Sequence, residues 1–250
     1  MTGLDLYLRG IRTAVACWEA YARTIDGATI ERAAGVDIAV FAKGPERRFF
    51  NNAVLGHGLT PSRRRVAVDA MAQVYAGAGI VEYAAWVHES DRSMVAELTG
   101  RGFVHQETTW AMGRPLTAAT LGARPPADGI DVTLGEWEEY LRVLELPEGT
   151  LAAADPRAFQ VAVGRLGSRV ASAGMAFDHE GDVGIFNVAT AASARRRGIG
   201  SAVVARLLRE AAARGAVTAT LQSTAMARSV YAGLGFLDLG RILEFGPPEA

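Results

Sequence analysis

Lysine is almost absent from this chain: Lys43 is the only one among 26 basic residues in a length of 250. The remaining basic residues are arginines, a bias that reads mainly as codon composition, although arginine is also the better fork for phosphate oxygens. Cysteine is equally scarce. Cys17 stands alone, which excludes a disulfide framework and a cysteine metal site. Net charge is close to nil, at −1, and this argues against bulk attraction to nucleic acid or to an anionic membrane. No apolar run approaches the roughly 18 residues of a membrane span. The opening residues place Asp5, Arg9 and Arg12 inside the apolar periodicity, which breaks a signal-peptide core. A soluble cytoplasmic protein with no metal is expected.

Hydrophobic residues are plentiful, at 50% of the chain. At this length one core is near its upper limit and two are easily built. Periodicity predicts helices over 4–23, 61–76, 91–99, 134–146, 201–214 and 225–234. Strands are expected over 36–42, 49–55, 82–88, 103–112, 159–166, 168–177, 183–188, 218–223 and 236–245. Thr60-Pro61 reads as an N-cap followed by proline in the first turn. Pro115, Pro125 and Pro126 give 113–128 the composition of a linker.

The stretch from Asp182 to Arg214 organises the rest. Val183, Ile185, Phe186 and Val188 suggest a strand, and Val203, Val204, Leu207, Leu208 and Ala211 fall on one helical face. Between them lies Arg195-Arg196-Arg197-Gly198-Ile199-Gly200, with Ser201 read as the start of the helix. A helix start offers unpartnered N–H groups and partial positive charge, and glycines there let a bulky phosphate approach. By composition alone such an R-x-x-G-x-G occurs about 0.3 times in a chain like this. Its position between a strand and a helix is what gives it weight.

The chain also repeats itself. Trp18-Glu19-Ala20-Tyr21-Ala22-Arg23 matches Trp137-Glu138-Glu139-Tyr140-Leu141-Arg142, Phe50-Asn51 matches Phe186-Asn187, and Gly102-Phe103 matches Gly235-Phe236. The offset grows from 119 to 136 between the first two pairs, about the length of one strand and turn. The first copy is therefore expected to lack a strand there. Two duplicated domains follow, 1–114 and 129–250, joined by a linker over 115–128.

Strand, R-x-x-G-x-G, helix, strand, helix with Tyr231, Gly235-Phe236 and a last strand together resemble the GNAT superfamily of acetyl-CoA-dependent N-acetyltransferases. The duplication is similar to that of actinobacterial tandem-domain members. The resemblance implies an α/β (α+β) fold of two GNAT-like domains, each a mixed twisted sheet flanked by helices. It implies acetyl transfer from acetyl-CoA to a primary amine of a small molecule or peptide, by direct attack in a ternary complex. Arg195, Arg196, Arg197, Gly198, Ile199, Gly200 and Ser201 would then hold the CoA pyrophosphate. Asn187, Val188, Ala189 and Thr190 would bind pantetheine, with the Val188 N–H facing the oxyanion. Tyr231 would be the acid that protonates the departing sulfur, since a phenol of pKa about 10 stays protonated at neutral pH. Thr224 stands where the family often has asparagine, and its hydroxyl reads equally as a cofactor contact or a cap.

The first copy departs from that pattern. Leu98 occupies the place of the tyrosine, and Gly56-His57-Gly58-Leu59-Thr60-Pro61 opens its helix without the glycine pair. One competent and one degenerate half are expected. His88, Glu89 and Glu244 are candidates for a general base, although each reads first as a solvated or core-satisfied group. His179, Glu180 and Asp182 read as ordinary turn residues, and Cys17, Trp18 and Trp137 as helix packing. A non-catalytic acyl-CoA-binding module is the alternative function. A nucleic-acid surface on Arg63–Arg65 and Arg195–Arg197 is disfavoured, because no aromatic residues interleave with those arginines. Monomer and homodimer both remain open.

Overall fold

In the computed structural model, which describes residues 1–117 and 129–248, the chain begins with α1 (Gly3–Ala22), β1 (Ala28–Ala33), β2 (Val36–Phe41) and β3 (Asn52–Leu55). Then follow α2 (Pro61–Gly77), β4 (Ala84–His88), α3 (Arg92–Gly100) and β5 (Val104–Pro115). After residue 129 come β6 (Ile130–Leu134), α4 (Trp137–Leu144), β7 (Gln160–Leu166), β8 (Arg169–His179) and β9 (Asp182–Thr190). The last elements are α5 (Ile199–Ala213), β10 (Thr218–Ser223), α6 (Arg228–Gly233) and β11 (Leu237–Gly246). The expected linker falls largely on 118–128, outside the described residues.

Two compact units make up the molecule. One comprises Met1–Ala14, Ala111–Pro147 and Asp155–Leu239; the other comprises Val15–Trp110, Glu148–Ala154 and Gly240–Ala250. In the first unit the strands lie in the order β5-β10-β9-β8-β7-β6. There β6 with β7, β7 with β8 and β8 with β9 run antiparallel, and β9 with β10 runs parallel. The second unit orders its strands β1-β2-β3-β4-β11-β5, with β3 and β4 parallel.

Local chemistry explains most of the hairpins. Ala34-Gly35 and Glu180-Gly181 have both residues at positive φ, and each joins strands paired directly across it. That is the two-residue turn whose twist matches the strands it connects. α2 starts as expected, with Pro61 in its first turn and the Thr60 hydroxyl accepting from the Arg63 N–H. Asp91 caps α3 by accepting from the Met94 N–H at 3.0 Å. α5 buries Ile199, Val203, Val204, Leu207, Leu208 and Ala211. At about 1.5–3 kcal/mol for each large apolar side chain, this face is what holds α5 on its sheet.

Several expectations need correction. β1 and β6 carried no strand signal, since both lie at the outer edge of their sheets and their residues are mostly exposed or half-buried. Without a buried face there is no alternation to read. α4 begins only at Trp137, behind a capping box of Glu136 and Glu139, and ends at Glu145 in the left-handed region. Among the described residues the first half does hold one strand fewer, five against six, but the additional strand is β6 ahead of α4 and not one after it: β1, β2 and β3 follow α1 as β7, β8 and β9 follow α4. The added length after α4 is loop and a short 3-10 turn at Pro156–Ala158.

Asp182 is not an ordinary turn residue. It is fully buried, and its carboxylate accepts from the hydroxyls of Thr13 at 2.8 Å, Thr218 at 2.6 Å and Thr220 at 2.6 Å. These bonds tie α1 to β9 and β10 within the first unit. Trp18 and Trp137 do pack their helices, against Trp86 and Phe159 respectively. Burial raises the Cys17 thiol far above its ordinary range, which leaves it inert.

Candidate functional site

A fault in one strand creates the site. β8 and β9 pair from His179↔Asp182 to Met175↔Phe186, but the next pair is Ala173↔Ala189. Asn187 and Val188 thus face a single residue, which is a β-bulge and bends the strand that carries it. Asn187 takes φ 49°, a left-handed conformation that asparagine tolerates better than most side chains. Its Nδ2 donates to the hydroxyl of Tyr140 at 3.1 Å, and Tyr140 is fully buried on α4. The parallel ladder between β9 and β10 ends at Ile185↔Leu221, although both strands continue.

The bulge gives a first prediction. Asn187→Val forces a β-branched residue to positive φ and removes the bond to Tyr140. A loss of about 1–3 kcal/mol in chemical denaturation is expected, and a much smaller one for Asn187→Gly.

Past Thr190 the chain makes a 3-10 turn at Ala192–Ala194 and enters the arginine–glycine loop. Arg196 and Gly198 both take positive φ, 62° and 80°. Gly198 is the N-cap of α5 and offers no side-chain acceptor; the first helical bond runs from Ala202 N–H to Gly198 O at 3.0 Å. The N–H groups of Ile199, Gly200 and Ser201 therefore have no acceptor within the helix. Ser201 does not begin the helix but sits inside its first turn.

The two glycines serve different ends. Gly198 is required by its backbone angle, since a Cβ there would meet nothing within 4 Å. Gly200 is required by space, because its Cβ would lie 3.0 Å from Thr190 Oγ1. Arg195 and Arg196 are exposed, and Arg195 Nε donates to the Thr190 carbonyl at 3.2 Å.

β9 beyond its bulge, the head of α5 and α6 line one cleft of about 590 Å³, a volume typical of small-molecule sites. Tyr231 belongs to it, only 8% exposed, with its ring edge-on to Phe236 at 6.0 Å. Burial raises the Tyr231 phenol above its ordinary value. Thr224 is in the lining too, but its side chain does not cap α6, whose N-cap is Ala227. Every residue expected to hold the cofactor or act as the acid lines this cleft except Asn187, which turns to Tyr140, and the exposed Arg197.

Other lining residues escaped the sequence reading. Val143, Leu144 and Glu145 contribute from the end of α4, and Met226 from the turn before α6. The left-handed Glu145 that ends α4 had no glycine or asparagine to announce it. The base candidates His88, Glu89 and Glu244 belong to the second unit and are not among the lining residues. There His88 Nδ1 meets Ser90 Oγ at 2.7 Å and Glu89 pairs with Arg241 at 2.6 Å. Asn51, the repeat partner of Asn187, is buried and bonds to the Phe41 backbone, so the two asparagines do different work. Among the described residues no group of His, Cys, Asp and Glu suits a metal ion, and no helix is long and apolar enough to cross a membrane.

Residues 129–236 match the model of the Acetyltransferase (GNAT) family. The whole fold is similar to a GCN5-related N-acetyltransferase from Kribbella flavida, with TM-score 0.75 at 14% identity over 96% of both chains. It is similar also to a GCN5-related N-acetyltransferase from Sphaerobacter thermophilus, with TM-score 0.60 at 16% identity over 94% of this chain and 95% of that one. A GCN5-related N-acetyltransferase-like protein from Streptococcus suis aligns with TM-score 0.56 at 14% identity, over 98% of this chain and 99% of that one. At such identities the likeness is one of fold. No curated protein matches the sequence.

Proposed function

We propose that this chain is a GNAT-family acyltransferase that moves an acetyl group from acetyl-CoA to a primary amine of a small molecule or peptide. The observation that carries this reading is the meeting of three parts in one cleft: the uncapped head of α5, the bulged end of β9, and Tyr231. The family match over the segment that holds all three supports it.

The residues present suit acetyl-CoA. The N–H groups of Ile199, Gly200 and Ser201, with the partial positive charge of the helix start, favour a diphosphate, and Arg195 and Arg196 add charge beside them. The backbone of Val188, Ala189 and Thr190 offers donors and acceptors along an extended pantetheine arm. Bound there, acetyl-CoA supplies the acyl group as an activated thioester. The Val188 N–H is the donor offered to negative charge developing on the acyl oxygen. Tyr231, kept protonated by its burial, is the acid that donates to the departing sulfur. The amine attacks directly, so no nucleophile of the protein is required.

We read the chain as two copies of one domain, of which only the later is competent. In the earlier copy Leu98 stands in the tyrosine position and is fully buried in a hydrophobic core.

Calorimetry on Gly200→Val tests the cofactor site. The added branches meet Thr190 at the head of α5, and acetyl-CoA affinity should fall at least about tenfold, or 1.4 kcal/mol, with the thermal transition retained. Unchanged affinity, or no release of CoA thiol with any member of a broad amine panel, would overturn the assignment.

A further inference from the structure

The second unit contains a cleft of its own, of about 910 Å³, which the acyl-transfer reading does not use. Its lining combines two features. One is an aromatic wall of Phe49, Tyr83 and Phe103, with Phe49 44% exposed and Val81 75% exposed at its edge. The other is a run of carboxylates, Glu82, Glu107 and Glu244, opposed by Arg47 as the one basic residue in the lining. Arg47 is already engaged, its guanidinium donating to the Gly79 carbonyl at 2.7 Å.

Glu244 is the least comfortable of these groups. It lies on β11 directly opposite Trp86 of β4 and is half-buried. Its protein partner is a long 3.4 Å bond from the Thr109 hydroxyl. The indole N–H of Trp86, 93% buried by its 7% exposure, is near enough to favour the ionised carboxylate. Yet that N–H completes no hydrogen bond with any described residue. Burial first, and the neighbouring Glu107 second, push the Glu244 carboxyl up to about 7. A carboxylate in this setting is relieved by a cation, and aromatic faces attract the same cation through their quadrupoles.

The geometry points to a binding site in this cleft for an organic ammonium ion with an apolar body, its charged head at Glu107 and Glu244 and its body against Phe49, Tyr83 and Phe103. The site is independent of acyl transfer, and its ligand is bound, not acetylated, there. A hydrated inorganic cation is disfavoured because the wall is aromatic. Exposed Phe49 and Val81 are accounted for as the surface the apolar body covers.

Titration calorimetry with 2-phenylethylammonium tests this, with 2-phenylethanol as the neutral analogue of nearly the same shape. One ammonium is expected to bind per chain, with the alcohol at least about tenfold weaker. Glu244→Gln and Glu107→Gln should each weaken the ammonium by about the same factor. Glu107 is exposed, so its variant leaves the core undisturbed, and Phe49→Ala at the exposed wall provides a third variant expected to weaken both ligands. Binding should release protons near pH 7 and strengthen between pH 6 and 8. Glu244 is the group that ionises in that interval, with Glu82, Glu107, Arg47 and Tyr83 facing the same cleft. Acetyl-CoA affinity should be the same in all these variants, and Gly200→Val should leave ammonium binding intact. If the alcohol binds as tightly as the ammonium, or if ammonium binding survives both glutamine variants, the site is not there. Loss of ammonium binding in Gly200→Val alone would move the amine to the other cleft and equally overturn the proposal.

Discussion

Tyr231→Phe should lower the turnover number for acetyl transfer by about 10²–10⁴-fold, the usual contribution of a positioned acid. Acetyl-CoA affinity should stay within about twofold, because the phenol acts on the leaving sulfur and not on the ground-state complex. The substitution removes one oxygen and keeps the ring that packs edge-on against Phe236, so the fold is preserved. The sign of the pH dependence follows from the raised pKa. The phenol remains protonated through neutral pH and past its ordinary value of about 10, so Tyr231 imposes no alkaline limit below that. The same shift favours the folded chain at neutral pH, and that contribution is lost as pH rises through the folded pKa. Stopped-time thiol release at several pH values measures these effects. Unchanged rates in the variant, with tight acetyl-CoA binding, would instead favour the non-catalytic acyl-CoA module.

Asp182→Ala is expected to cost about 3–5 kcal/mol, among the largest single losses available in the first unit. Three threonine hydroxyls converge on this fully buried carboxylate, two on Oδ2 and one on Oδ1. Removing the acceptor strands the Thr218 and Thr220 donors in a buried space, while Thr13 keeps the Arg9 carbonyl at 3.2 Å, and leaving buried donors unmet is costlier than never placing them there. For a unit of this size the thermal midpoint should fall by about 6–20 °C. The transition to follow is that of the first unit, since a chain of two compact units is not expected to melt as one. Thr13→Val, which removes a single donor from the carboxylate, should cost only about 0.5–1.5 kcal/mol. A loss below about 1 kcal/mol in Asp182→Ala would show that the network is not an anchor of the first unit.

How far the site was legible depends on the range of the forces involved. The arginine–glycine loop, the apolar face of α5 and Tyr231 each announce themselves locally, and the loop and Tyr231 line the same cleft. The bulge did not, because Asn187 in a run of strand residues carries no mark of a left-handed angle imposed by pairing with β8 and by the bond it donates to Tyr140, 47 positions away. Asp182 sits in a sequence context that reads as a turn, and only the arrival of Thr13, Thr218 and Thr220 makes it a buried anchor. The extra strand of the second half is β6 and not one after α4 for a related reason: the length added after α4 became loop and a 3-10 turn, and residue spacing alone does not separate a loop from a strand.

Sequence alone determined most of the segments that form helices and strands, the glycine-bearing loop that opens α5, and the presence of a tyrosine on α6. These depend on periodicity, capping and the chemistry of single groups, all encoded within a few residues of each other. Tertiary structure alone decided where β9 bends, which carboxylate lies buried among hydroxyls, and that Glu244 stands beside Glu107 on an aromatic wall. Such properties come from groups far apart in the chain, whose dielectric surroundings and partners exist only once the sheets have closed.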